Sequence, residues 1–125
     1  MRPINAVLAH HDAASAERLA ASLKSEFRTT AIARSPEEIC AAVARVGAAF
    51  AVVDLELVSL AEFKELCARF PATTFVCIHR LADDCMWAEA LAAGAVDCCQ
   101  SNDVRGILEA CNRHLVLSRA HRAAA

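Results

Sequence analysis

The run Phe50-Ala-Val-Val53 stops abruptly at a carboxylate, Asp54. A short apolar run without polar alternation marks a strand buried on both faces, as in a parallel sheet covered by helices. Open α/β sheets gather their functional groups at the carboxyl edge, where such strands end. Asp54 is therefore a candidate functional residue, and so is whatever closes the neighbouring strands.

Taken in order, the chain repeats one pattern five times. Residues 4–9 read as a first strand, followed directly by His10, His11 and Asp12. Ala16, Leu19, Ala20, Leu23 and Phe27 then fall at helical spacing, opposite Glu17, Arg18, Lys24 and Glu26. That is an amphipathic helix. Residues 29–33 are short and β-branched, a second strand. Ser35-Pro36-Glu37-Glu38 is a helix start: serine cap, proline in the first turn, glutamate three residues after the cap. Gly47 ends that helix. The third strand runs to Asp54, and a helix over 60–70 follows, with Pro71 beyond it. Residues 73–78 form a fourth strand ending at His79. Asp83 or Asp84 caps the next helix, which runs to Ala93 before Gly94. Residues 96–99 make a fifth strand, and Val104, Ile107, Leu108, Cys111 and Leu115 are the stripe of a last helix. Alternation of this kind predicts a three-layer α/β/α domain on a five-stranded parallel sheet.

At 125 residues, 57% of them hydrophobic, the chain supports one domain with a real core. A net charge of −2 argues against nucleic acid or an anionic membrane as a partner. Arg113, Arg119 and Arg122 read as solvated cations at the negative pole of the last helix. No apolar run is long enough to cross a bilayer, and the first residues are too short in their apolar part for a secretory signal. The seven cysteines form no CxxC pair and mostly fall at apolar positions. Reduced thiols packed as small hydrophobes, in a cytoplasmic protein, are the expectation.

The length, the five-fold alternation, Asp54 closing the third strand, Gly94-Ala95 before the fifth, and the interval from His79 to Gly94 resemble a response-regulator receiver domain, CheY-like. The resemblance covers residues 4–117 and implies the flavodoxin/CheY-like strand order 2-1-3-4-5. It implies a domain over residues 1–118, with 119–125 a basic tail or the stump of a linker. It further implies two-component signalling, in which the aspartate accepts a phosphoryl group from a partner's phosphohistidine. In the receivers it resembles, two acids after the first strand hold Mg²⁺, a Thr or Ser ends the fourth strand, and a Lys ends the fifth. Mg²⁺ requires hard oxygen ligands, and with the lysine it neutralises charge on the moving phosphoryl oxygens.

Here the aspartate stands without those helpers. The acidic pair corresponds to His10 and His11, the Thr/Ser to His79, the Lys to Ser101, and the proline after it to Asn102. The aromatic switch position corresponds to Cys98, and Asp12 is the one carboxylate beside the pair. The expectation is an atypical receiver: not an enzyme, but a protein-interaction module with weak or no phosphorylation at Asp54. Its partners would be a histidine kinase, a phosphotransfer protein or an output domain, or a second copy in a homodimer. Two alternatives stay open. Asp54 could be a working phosphoacceptor using Mg²⁺, with Asp12 supplying a carboxylate. Or His10, His11 and His79, all ending strands near Asp54, could form a metal or pH sensor, since imidazole suits zinc, nickel or copper. Trp87, the only tryptophan, lies on the helix before Gly94. With Cys98 it marks the side that receivers use for partners, and tryptophan is enriched at interface centres. A partly buried core tryptophan is the other reading of it.

Overall fold

The computed structural model describes residues 2–124, with side chains described for residues 3–114. Strands β1 (Arg2–Ala9), β2 (Phe27–Ala33), β3 (Phe50–Asp54), β4 (Thr74–His79) and β5 (Asp97–Gln100) alternate with five helices. These are α1 (Ala13–Leu23), α2 (Pro36–Val46), α3 (Leu60–Arg69), α4 (Asp84–Ala93) and α5 (Val104–Ala124). The strands form one sheet in the order β2-β1-β3-β4-β5, every pair parallel. This is the predicted topology.

Strand periodicity divides the core between the two sheet faces. On one face Ala51, Val53, Phe75 and Cys77 pack with Ile39 and Val43 of α2, Phe63 and Leu66 of α3, and Ala90 of α4. On the other, Phe50, Val52, Val76 and Ile78 pack with Leu19 and Leu23 of α1 and Ile107 and Cys111 of α5. Both faces of β3 are thus covered, which is why its sequence shows no alternation. Cys98 and Cys99 divide in the same way, one to each cluster.

Helix starts are set by side-chain caps. Asp12, Ser35, Ser59 and Asp83 each accept an N–H from the first turn of α1, α2, α3 and α4 respectively. At α3 the cap is a full capping box: the Ser59 N–H donates to Glu62 while the Glu62 N–H donates to Ser59.

Several sequence expectations need correction. Phe27 does not continue the α1 stripe; α1 ends at Leu23, and Phe27 opens β2, stacked on Phe50 at 5.7 Å. β5 begins at Asp97 and includes Gln100, one residue later than expected. Among the cysteines, Cys77, Cys99 and Cys111 are buried and Cys40, Cys67 and Cys98 half-buried, but Cys85 is exposed on α4. Burial pushes the Cys99 thiol up to about 12 and those of Cys67 and Cys98 to about 11, as expected of packing residues. The backbone of α5 continues to Ala124, while the side chains of Leu115, Arg119 and Arg122 lie outside the described residues. Among the described residues no helix is long and apolar enough to cross a membrane.

Candidate functional site

The register of the sheet assembles the site. Ala9 pairs with Val53, so His10 and His11 emerge beside Asp54. Asp54 pairs with Ile78, so His79 emerges on its other side. His79 pairs with Gln100, which brings Ser101 to the same edge.

Asp54 is fully buried, and both carboxylate oxygens are engaged. Oδ1 accepts the Glu56 backbone N–H at 2.8 Å. Oδ2 accepts the His11 backbone N–H at 2.9 Å and is also hydrogen-bonded by His11 Nδ1. The His11 pKa is raised above the ordinary value, first by this side-chain hydrogen bond and then by the charges of Asp54, Glu56 and Asp12; burial opposes the shift. The imidazole stands where a receiver would have a second acid, so a nitrogen donor replaces an anionic oxygen ligand.

His10 is buried and stacks on His11, ring centroids 4.9 Å apart. Its Nδ1 accepts the Asp12 backbone N–H at 3.0 Å and lies 3.6 Å from Asp54 Oδ2. His79 is turned differently. Its Nδ1 accepts the Leu81 N–H at 3.0 Å, and its Nε2 lies 4.0 Å from Glu56 Oε1. Of the three histidines, His10 and His11 converge on Asp54 and His79 does not. Asp12 is also directed elsewhere: its carboxylate accepts the Ser15 N–H and hydroxyl as the cap of α1. Those bonds hold its pKa below the usual carboxylate value. Ser101 follows β5, and its hydroxyl is buried without a hydrogen-bond partner among the described residues. It lines a cavity of about 230 Å³ with His10, Arg18 and Asn102.

Glu56 and Arg80 belong to the site and were not singled out in the sequence. Arg80 Nε donates to Glu56 Oε1 at 2.8 Å. Glu56 Oε2 is buried, has no hydrogen-bond partner among the described residues, and lies 3.7 Å from His11 Nδ1. The only prior sign was position: Glu56 stands two residues after Asp54 and Arg80 one after His79.

Mg²⁺, the ion the fold family implies, does not suit these donors. It prefers near-octahedral oxygen coordination. The two positions after β1 offer nitrogen, and the nearby Asp12 carboxylate is committed to Ser15, which leaves Asp54 without a second acidic oxygen ligand from the end of β1.

On the α4–β5–α5 side, Trp87 is 46% exposed, so the core reading of this residue does not hold. Its Nε1 donates to Asp97 Oδ1 at 3.1 Å, and Arg113 lies 3.4 Å from Asp97 Oδ2. A groove of about 600 Å³ runs here, lined by Asp83, Trp87, Asp97, Cys98, Asp103 and Arg113 among others.

No protein-family model matches the sequence, and no curated protein matches it significantly. Solved structures do. A Burkholderia pseudomallei response regulator with a phosphorylated aspartic acid, calcium ion and citrate is 21% identical, with TM-score 0.78, over 97% of this chain and 74% of that one. A Thermotoga maritima response regulator is 17% identical, with TM-score 0.77, over 90% and 97%. Brucella abortus NtrX in complex with ADP is 18% identical, with TM-score 0.83, over 98% of this chain and 28% of NtrX. At these identities the likeness is one of architecture: the chain has the CheY-like fold of receiver domains, carried by a divergent sequence.

Proposed function

We propose that this chain is a signalling module that works by protein interaction, with Asp54 held by its neighbours rather than offered to a phosphoryl donor. One observation carries this reading: three N–H groups from His11 and Glu56 engage both Asp54 oxygens in a fully buried position. A carboxylate attacks phosphorus through a free lone pair, and here donors occupy three of its four lone pairs, both of those on Oδ2 and one on Oδ1. Two charge-neutralising partners are also replaced, the acidic pair by imidazoles and the lysine by Ser101. Losing one such partner costs on the order of 3 kcal/mol, about a hundredfold in rate.

The partner surface in this reading is the α4–β5–α5 side around Trp87 and Cys98. It would receive a histidine kinase, a phosphotransfer protein, an output domain or a second copy of the chain, in the cytoplasm. The test is incubation with acetyl phosphate and Mg²⁺ followed by intact-mass measurement. The expected result is no phosphate adduct. An adduct that disappears in Asp54→Asn would make the chain a working phosphoacceptor and overturn the proposal.

A further inference from the structure

The site whose donors do not suit Mg²⁺ has those of a different ion. We infer that His10, His11 and Asp54, with Glu56 drawn in beside His11 as a fourth ligand, form a binding site for a divalent transition metal of the zinc class. Ligand atoms of His10, His11 and Asp54 all lie within 4.8 Å of one another. Around a tetrahedral zinc with bonds of about 2.0–2.1 Å, neighbouring ligand atoms stand about 3.4 Å apart. His10 Nδ1 and Asp54 Oδ2 are 3.6 Å apart, and His11 Nδ1 and Glu56 Oε2 are 3.7 Å apart. Both separations need to close by only a few tenths of an ångström. A third of the six edges, from His11 Nδ1 to Asp54 Oδ2, is a hydrogen bond and must open to admit the ion.

A carboxylate oxygen without a hydrogen bond supplies a second sign, on a group whose other oxygen holds Arg80. Glu56 Oε2 is buried without a hydrogen-bond partner among the described residues, an unfavourable state for a carboxylate oxygen. A cation between it and His11 would satisfy it. His10 Nδ1 already presents a lone pair, since it accepts the Asp12 N–H. Asp12 is exposed, so water can take over that amide when His10 turns to the metal. The metal then replaces the proton between His11 Nδ1 and Asp54, and that proton leaves to solvent. Two imidazoles and two carboxylates are ordinary zinc ligands and poor ones for Mg²⁺. The ends of β1 and β3 hold these residues, and the Asp12 cap of α1, which accepts from Ser15, fixes the chain behind them.

This site goes beyond the interaction role and does not depend on it: the acetyl phosphate experiment tests one, metal titration the other. The whole chain, stripped with chelator and reduced, is titrated with Zn²⁺ against a chromogenic competitor and with Co²⁺ by absorption. The expected result is one ion per chain, undisturbed by excess Mg²⁺, with tetrahedral Co²⁺ bands and no thiolate charge-transfer band. His11→Gln and Glu56→Gln should each weaken Zn²⁺ binding by at least about tenfold. His11 is 39% exposed, so its replacement tolerates folding, and far-ultraviolet circular dichroism checks that it has. Absence of stoichiometric binding, a thiolate band, or displacement by Mg²⁺ overturns the site. So does wild-type affinity in His11→Gln or in Glu56→Gln.

Discussion

Replacing Asp54 by asparagine tests the electrostatic character of the site through the sign of a stability change. In a pocket of several carboxylates, neutralising one relieves like-charge repulsion and stabilises the fold. Here Asp54 is surrounded by donors instead. It accepts the Glu56 N–H at 2.8 Å, the His11 N–H at 2.9 Å and the His11 side chain. Asparagine keeps one acceptor oxygen. If that oxygen stays on the Glu56 N–H, the new amide group faces the His11 N–H, donor against donor, in a fully buried position. Hydrogen bonds to charged groups contribute about 1.5–3 kcal/mol each, and an orphaned buried donor costs about 1–3 kcal/mol. Discounted because the His11 ring is 39% exposed, the net loss is about 3 kcal/mol.

The loss should depend on pH. The folded-state pKa of His11 lies above its unfolded value, raised by the hydrogen bond to Asp54. Its contribution is therefore complete below the unfolded pKa and is lost as pH rises through the folded one. Above that, the neutral Nδ1 can accept a hydrogen bond from the asparagine amide, which recovers part of the loss. The groups facing His11 are Asp54, Glu56 and Asp12. Urea unfolding followed by circular dichroism, at about pH 6 and about pH 8.5, measures both effects on either side of the histidine range. The expected loss is about 3 kcal/mol at the lower pH, a Tm drop of about 10 °C. It should shrink to about 2 kcal/mol at the higher pH. An Asp54→Asn chain as stable as the wild type, or more stable, at both pH values would refute the reasoning.

Two further outcomes follow from packing and exposure. Gly94, at φ +123°, ends α4 with its Cα against Cys67, where an added Cβ would sit 2.8 Å from Cys67 Cβ. Gly94→Ala should therefore cost at least about 2 kcal/mol, more than Gly47→Ala at about 1 kcal/mol, in parallel urea titrations. At Gly47 the φ of +60° is strained for alanine but no atom lies within 4 Å of the new Cβ. Trp87 is 46% exposed and anchored to Asp97, so Trp87→Ala should leave stability within about 1 kcal/mol while weakening whatever association the α4–β5–α5 side supports. If sedimentation detects a homodimer and this substitution leaves it unchanged, the surface lies elsewhere.

The topology was legible in the sequence because it depends on periodicity. Short apolar runs between amphipathic helices leave a parallel sheet as the natural solution, and a parallel sheet brings all strand ends to one edge. From that alone Asp54, His10, His11, His79 and Ser101 could be placed together. The misses were local. Phe27 fits the helical spacing of α1 as well as it fits a strand, and only its stacking on Phe50 decides between them. Val96 and Gln100 exchange places at the limits of β5, which is set by pairing with β4 rather than by composition.

What only the tertiary structure decided is where side chains at that edge point. Asp12 serves α1 as a cap, His79 turns to its own backbone and to Glu56, and among the described histidines only His11 hydrogen-bonds Asp54. Glu56 and Arg80, ordinary charged loop residues in the sequence, become an ion pair beside the site. Periodicity reports which face of an element is buried; it says nothing of rotamers in the loops beyond strand ends. There, hydrogen bonds between residues more than forty positions apart, such as that of His11 to Asp54, settle the chemistry.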